Sequence, residues 1–176
     1  IKSNFNRCEG VMGFLVNSYI LKLNPSLLLE QTTDGWQEAF TDVNRVGQRF
    51  VTGSSLIDDT ITKVLVRLKI HDGSPSGTIT CRIRDSSDNI KLTLGTSSAS
   101  SLSSDYQDVS YENLDGYVLA DQDKVCIEYP ADTSNTIQVG VINSNVLANS
   151  SEWYYTNQWF QRATYDMYFK IYGFAA

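Results

Sequence analysis

The clearest structural signal is the segment ITKVLVRLKIH at residues 61–71. Its polar residues alternate with the apolar residues Val64, Val66, Leu68 and Ile70. Successive side chains of an extended strand point to opposite faces, so this spacing predicts a β-strand with one face in a core. His71 ends the run on the polar face, which indicates a solvated side chain rather than a catalytic base.

The same alternation recurs along the rest of the chain. The inward positions are predicted to be Ile79, Cys81 and Ile83, then Val125, Ile127 and Tyr129, then Ile137, Val139 and Val141, and finally Tyr165, Met167, Phe169 and Ile171. Turn residues separate these runs, and no helical periodicity persists for three turns. We therefore predict an all-β, jelly-roll-like sandwich of two antiparallel sheets. It forms one domain over residues 1–176, in which residues 1–30 are an N-terminal segment.

The sequences of two connections predict how the runs beside them are joined. The turn at residues 72–77, DGSPSG, allows the runs on either side of it to pair as a hairpin. Residues 96–104, TSSASSLSS, have low complexity and are predicted to be a flexible connection.

Composition excludes several classes of function. The 176 residues contain 14 Lys and Arg against 20 Asp and Glu, a net charge of −6 without a basic cluster, which disfavours nucleic acid as a partner. No run of about 18 apolar residues is present to span a membrane. One histidine and three cysteines leave little for a transition-metal site or histidine-based catalysis, so we predict a protein that is not an enzyme. Cys81 and Cys126 are expected to be free, buried thiols.

The N-terminal segment carries apolar residues on both faces of an extended strand. One interpretation is a central strand of the same sandwich. The other is a strand exchanged with a neighbouring subunit. The residues involved would be Phe14, Val16, Tyr19, Leu21 and Leu23.

The run from Arg45 to Gly173 resembles the choice-of-anchor R domain of surface, secreted and phage-associated proteins. The likeness lies in ordered phrases: VGQRF at 46–50, GSPSGTIT at 73–80, LGTSS at 94–98, LSSDYQ at 102–107, CIEY at 126–129, IQVG at 137–140 and DMYFKIYG at 166–173. The resemblance implies a jelly-roll-like sandwich on a cell surface or virion, and it supplies no catalytic residues.

Aromatic residues concentrate in the segment WYYTNQWF at residues 153–160. Saccharides pack their C–H faces on aromatic rings and need hydrogen-bonding groups beside them. The candidate carbohydrate-binding residues are therefore Trp153, Tyr155, Asn157 and Trp159. The alternative is that these rings fill the core, and the same choice applies to Trp36, for which the core is favoured.

Carboxylates group at residues 58–59, 85–88 and 121–123. Calcium prefers such oxygen ligands, so a calcium site is possible there, but Asp, Ser and Asn are also the common residues of tight turns. We favour the turn interpretation and predict no other metal or cofactor.

These observations predict a structural or adhesive β-sandwich subunit of an extracellular, cell-surface or virion particle. Its partners would be its own subunits or other surface proteins. The alternative is a carbohydrate-binding module that uses the aromatic segment near the C-terminus.

Overall fold

Each alternating run of the sequence lies on a strand of this protein, and further strands form outside those runs. A computed structural model describes residues 25–32, 36–40, 43–130, 132–144 and 146–176. The strands, in chain order, are β1 (Ser26–Gln31), β2 (Trp36–Ala39), β3 (Arg45–Phe50), β4 (Thr60–Asp72), β5 (Thr78–Arg84), β6 (Ile90–Ser98), β7 (Gln107–Val118), β8 (Lys124–Glu128), β9 (Thr136–Ile142), β10 (Ser150–Tyr155), β11 (Trp159–Arg162), β12 (Asp166–Met167) and β13 (Phe169–Phe174). Within the described ranges, no helix is long and apolar enough to cross a membrane.

The thirteen strands of the described ranges divide into two antiparallel sheets, and the protein is an all-β, jelly-roll-like sandwich. The seven-stranded sheet has the order β1-β13-β4-β9-β12, with β7 also paired to β4 and β2 also paired to β9. The six-stranded sheet has the order β11-β10-β3-β8-β5-β6. Strands that are neighbours in space are often distant in sequence, as in the pairing of β3 with both β8 and β10.

The inward faces of the two sheets form one hydrophobic core. Strand β4 buries Val64, Val66 and Leu68 completely, as its alternation predicts. The core also contains most of the other predicted inward residues, among them Ile79, Cys81, Ile83, Val125, Ile127, Ile137, Val139, Val141, Met167, Phe169 and Ile171. His71 is exposed near the end of β4, as expected.

A buried polar network joins the two sheets. Gln48 of β3 donates from Nε2 to Oδ1 of Asp166 on β12 at 2.6 Å, and its Oε1 accepts a hydrogen bond from the Met167 backbone at 2.8 Å. The second carboxylate oxygen of Asp166 accepts bonds from the backbone nitrogens of Val146 and Leu147. Because a buried carboxylate must be paired with donors, this network holds β12 against the six-stranded sheet.

Two predictions about connections are wrong. Strands β4 and β5 do not pair as a hairpin, because β4 belongs to the seven-stranded sheet while β5 pairs with β6 and β8 in the other sheet. The turn between them therefore crosses from one sheet to the other. The low-complexity residues 96–104 are not a loose connection either, because they finish β6 and form a 3₁₀ turn, Ala99–Ser101. Ala99 and Leu102 anchor this turn in the core.

The predicted N-terminal segment is only partly described. Its last residues form β1, which pairs with β13 in the same chain. The proposed exchange residues Phe14, Val16, Tyr19, Leu21 and Leu23 lie outside the described residues, so strand exchange stays a prediction.

Candidate functional site

The aromatic segment folds into the β10–β11 hairpin, which lies at the edge of the six-stranded sheet. Tyr154 packs toward the core, so its neighbours Trp153 and Tyr155 lie on the outer face of the sheet. Trp159 pairs directly with Tyr155 across the hairpin and lies on that face too. All three rings are partly exposed. The hairpin therefore brings three of the four predicted saccharide-binding residues together.

Cationic side chains lie against each of these rings. The guanidinium of Arg45 is 4.2 Å from the centroid of Tyr155, and that of Arg49 is 4.0 Å from the centroid of a Trp153 ring. The ammonium of Lys124 is 5.4 Å from a Trp159 ring centroid. These distances are within the range of cation–π attraction. We name this surface the aromatic–cationic face and define it by Trp153, Tyr155, Trp159, Arg45, Arg49 and Lys124.

Asp88, in the turn between β5 and β6, forms hydrogen bonds with side chains of the aromatic–cationic face. One carboxylate oxygen of Asp88 accepts the indole N–H of Trp159 at 2.9 Å, and the other accepts a hydrogen bond from Arg45 at 2.6 Å. Asp88 has φ of 69°, a left-handed conformation that Asp tolerates in turns. Asp88 therefore fixes the orientation of one tryptophan and one arginine together.

A second carboxylate, Glu128 of β8, pairs with the arginines of β5. Arg84 donates from Nε to Glu128 at 2.6 Å, and Arg82 donates to the other carboxylate oxygen. Burial alone would lower the pKa of Arg84, but its hydrogen bond and charge contact with Glu128 outweigh this and raise that pKa. Glu128 thus supplies a negative charge to the arginines of β5, two strands beyond β3 in the sheet.

A small pocket of about 110 Å³ opens within the aromatic–cationic face. Its lining residues are Arg49, Ser86, Gln122, Lys124, Trp153 and Trp159. Burial lowers the pKa of Arg49 and that of Lys124, and in each case burial is the largest cause. The pocket therefore holds two cations in a partly desolvated setting.

The two described cysteines are free, buried thiols, as predicted. Cys81 lies in the core, whereas Cys126 lies on the outer side of the sheet, in register with Lys124 and Glu128 along β8. Burial raises the pKa of Cys81 and of Cys126, so both are protonated at neutral pH. Cys126 faces Gly47 across the β3–β8 pairing, and Gly47 in turn faces Trp153 of β10. The thiol of Cys126 occupies space that a side chain at residue 47 would need.

The predicted acidic groups accept backbone hydrogen bonds, those of Asp85 and Asp123 within their own turns and those of Asp59 and Asp121 from distant parts of the chain. Asp85 accepts bonds from the backbone of Ser87 and Asn89, Asp121 accepts from Thr52, and Asp123 accepts from Ala120. Asp59 accepts a bond from the backbone of Ala176. In the described part of the chain, no group of three or more His, Cys, Asp or Glu residues is placed to hold a metal ion.

The remaining predicted residues contribute less to the site. Asn157 is exposed in the β10–β11 turn, where its amide oxygen accepts a bond from Thr156 at 3.2 Å. Trp36 is on β2, and whether its ring is a platform or a core residue stays a prediction. The cations Arg49 and Lys124 are the residues that the sequence-based site omitted, although both lie at polar positions of alternating runs.

No protein-family model matches this chain, and no curated protein matches it. Among solved structures, the chain is similar to the carbohydrate-binding module CBM36 in complex with calcium and xylotriose. The sequence identity is 10%, the TM-score is 0.36, and the match covers 66% of this chain and 95% of that chain. This similarity is distant, so the functional proposal below rests on the geometry of the aromatic–cationic face.

Proposed function

We propose that this protein is a non-catalytic saccharide-binding module whose binding surface is the aromatic–cationic face. The observation that carries the proposal is the position of three aromatic rings from one hairpin on a single, partly exposed outer face. A core role would instead bury these rings, as the sandwich does with Phe40, Phe50 and Phe169.

The chemistry of the face suits a sugar ring. Aromatic surfaces pack against the C–H faces of saccharides, while nearby polar groups bond the hydroxyls. Gln161 pairs with Trp153 across the hairpin and is exposed, with an amide that donates to Ser151 at 3.1 Å. The amide oxygen of Gln161 is a further acceptor beside the ring. The face thus combines apolar area with hydrogen-bonding groups.

The angle between the Tyr155 and Trp159 rings indicates whether the saccharide is a flat surface or a soluble chain. Tyr155 and Trp159 are 5.3 Å apart between ring centroids, and their planes meet at 65°. Rings at this angle cannot both lie flat against one planar surface, such as a crystalline polysaccharide. The proposed ligand is therefore a soluble chain or a chain end, whose sugar rings change orientation from one unit to the next.

Glycan-array binding followed by titration calorimetry tests this function. We expect Trp153→Ala and Trp159→Ala each to raise the Kd for the tightest-binding array saccharide on the order of tenfold, since each substitution removes one aromatic contact. Tyr172→Ala is the matched control, because Tyr172 is a partly exposed aromatic residue on the opposite sheet with Lys63 near its ring.

Thermal unfolding of each variant tests whether a loss of saccharide binding comes instead from a loss of folding. The proposal is wrong if no saccharide on the array binds, or if binding survives both tryptophan substitutions undiminished.

A further inference from the structure

We propose that the pocket between Trp153 and Trp159 binds the anionic group of an acidic saccharide, a carboxylate or sulfate carried by a sugar ring on the aromatic–cationic face. This inference rests on the proposed function and names its ligand class. It follows from the placement of Arg49 and Lys124, from the pairing of the surrounding charges and from the size of the pocket.

Arg49 and Lys124 are directly opposite each other in the β3–β8 pairing. Like charges at directly opposed positions destabilise a sheet. Lys124 is also buried, with only 4% of its surface exposed. Placing a buried ammonium beside a partly buried guanidinium costs folding free energy, and a bound anion would offset that cost. The arrangement is therefore costly for the unliganded protein and favourable for a liganded one.

The other cations on the outer side of this sheet already have carboxylate partners. Asp88 pairs with Arg45, and Glu128 pairs with Arg82 and Arg84. Within the described residues, neither Arg49 nor Lys124 has a carboxylate at ion-pair distance. Two cations without an ion-pair partner among those residues thus lie together at the pocket, in a chain whose net charge is −6.

The nearby carboxylates bond to other donors. Asp88 and Asp123 act electrostatically on Lys124, but Asp88 accepts bonds from Arg45 and Trp159, and Asp123 accepts one from the Ala120 backbone. Asp121 acts electrostatically on Arg49, but its carboxylate accepts the Thr52 backbone N–H at 2.6 Å. Lys124 donates to the backbone carbonyl oxygen of Asp85 at 3.2 Å, whereas the carboxylate of Asp85 bonds within its own turn. An ammonium carries three donors, so Lys124 keeps two for a ligand.

The volume of the pocket indicates how much of the saccharide it can hold. About 110 Å³ is well below the roughly 300–1,000 Å³ of pockets that enclose whole ligands. One carboxylate or sulfate group fits this space while the sugar ring that carries it stays outside, against the indoles. Arg49 and Lys124 would then form charge-assisted hydrogen bonds to the anion from two sides.

Two pairs of probes test the inference by calorimetry. The first pair is an oligogalacturonate and its methyl ester, which differ only in the charge of the carboxyl group. The second is dextran sulfate and dextran, which reports on sulfate. We expect at least one charged probe to bind about tenfold more tightly than its neutral partner, and this preference to shrink as salt is added.

The preference should disappear in Arg49→Gln and in Lys124→Gln. Lys63→Gln is the matched control, because Lys63 is a cation 5.4 Å from the ring of Tyr172 on the opposite sheet. We expect Lys63→Gln to keep the full preference for the charged probe. Arg49 is less buried than Lys124, so Arg49→Gln supplies the result if Lys124→Gln folds poorly.

The outcomes separate this inference from the proposed function. If the charged and neutral probes bind equally and Trp153→Ala abolishes this binding, the preference for an acidic saccharide is wrong and the saccharide-binding function is retained. Equally tight binding of polyglutamate also overturns it, because the site would then recognise charge without a sugar. No binding of any saccharide overturns both.

Discussion

Gly47 shows how closely single residues are fitted beneath the aromatic–cationic face. A Cβ atom on Gly47 would lie 2.8 Å from the sulfur of Cys126 and 3.0 Å from the carbonyl oxygen of Val125. Cys126 is fully buried, so its sulfur has little room to move away. Glycine is therefore required here by close packing of β3 against β8 rather than by a turn conformation.

We expect Gly47→Ala to lower the free energy of unfolding by about 1–3 kcal/mol, the usual cost of overpacking a core. Chemical denaturation measures the change. Gly95→Ala is the matched control on β6, because its Cβ would meet its nearest atoms at 3.6 Å, an ordinary contact. In a Cys126→Ala background the cost of Gly47→Ala should become smaller, and an unchanged cost would show that the thiol is not the obstacle.

The residues of the site differ in how far they were predictable. Trp153, Tyr155 and Trp159 stand at alternate or turn-related positions of one short segment, so local pattern was enough to group them. Arg49 and Lys124 are 75 positions apart in the sequence numbering, and only the β3–β8 pairing brings them together. No local pattern reports such a pairing, because it depends on the order of strands in the sheet.

At the scale of elements, alternation predicted β4, β5, β8, β9 and β13, but it missed the largely exposed strands β6 and β7 and predicted strand partners poorly. A strand such as β4 shows its buried face in its own sequence, since the core requires apolar side chains at every second position. Which sheet a strand joins depends on contacts far along the chain, and β5 joins the opposite sheet from β4 although a short turn links them. In residues 96–104, the serine-rich composition gave no indication that Ala99 and Leu102 are buried in the core.

The turn between β5 and β6 is held by a charged carboxylate. Hydrogen bonds from Asn89, first from its side chain and then from its backbone, hold the pKa of Asp85 below its usual value. A folded-state pKa below the unfolded value stabilises the fold above about pH 4, and this stabilisation is lost as the pH falls through the folded pKa. Asp121 and Asp132, whose pKa values are lowered by bonds from Thr52 and Ser134, act in the same direction.

We expect Asp85→Asn to be less stable than the wild type at pH 6, and the difference to shrink toward zero near pH 2 as the wild-type carboxyl becomes protonated. Urea denaturation across this pH range measures it. Asp115→Asn, an exposed carboxylate change on β7, serves as the control and should follow the wild type throughout. A difference for Asp85→Asn that is constant with pH would contradict the role of its charge.

At the scale of the whole molecule, the subunit hypothesis makes a separate prediction. If residues 11–23 supply a strand to a neighbouring copy, light scattering of the full chain should show oligomers or fibres. Deleting residues 1–23 should then leave a soluble, folded monomer. A full-length control with Leu21→Asp and Leu23→Asp should lose assembly in the same way, because charge at these positions would oppose insertion into a sheet.

A monomeric full-length chain would refute assembly, and an unfolded deletion product would indicate that the segment completes its own sandwich. The saccharide-binding proposal does not depend on either result, since the aromatic–cationic face lies within residues 45–159. Assembly would multiply that face and raise its avidity for a repeating polysaccharide.

The pairing of β1 with β13 also has a mechanical consequence. Ser26 lies opposite Gly173, so the start of β1 and the end of β13 are side by side at one end of the seven-stranded sheet. A tension applied between residues 25 and 174 would open this ladder one bond after another, like a zipper, instead of loading all its bonds together in shear. Under such a pull, β1 would peel away first, while the sheet that carries the aromatic–cationic face would bear no direct load.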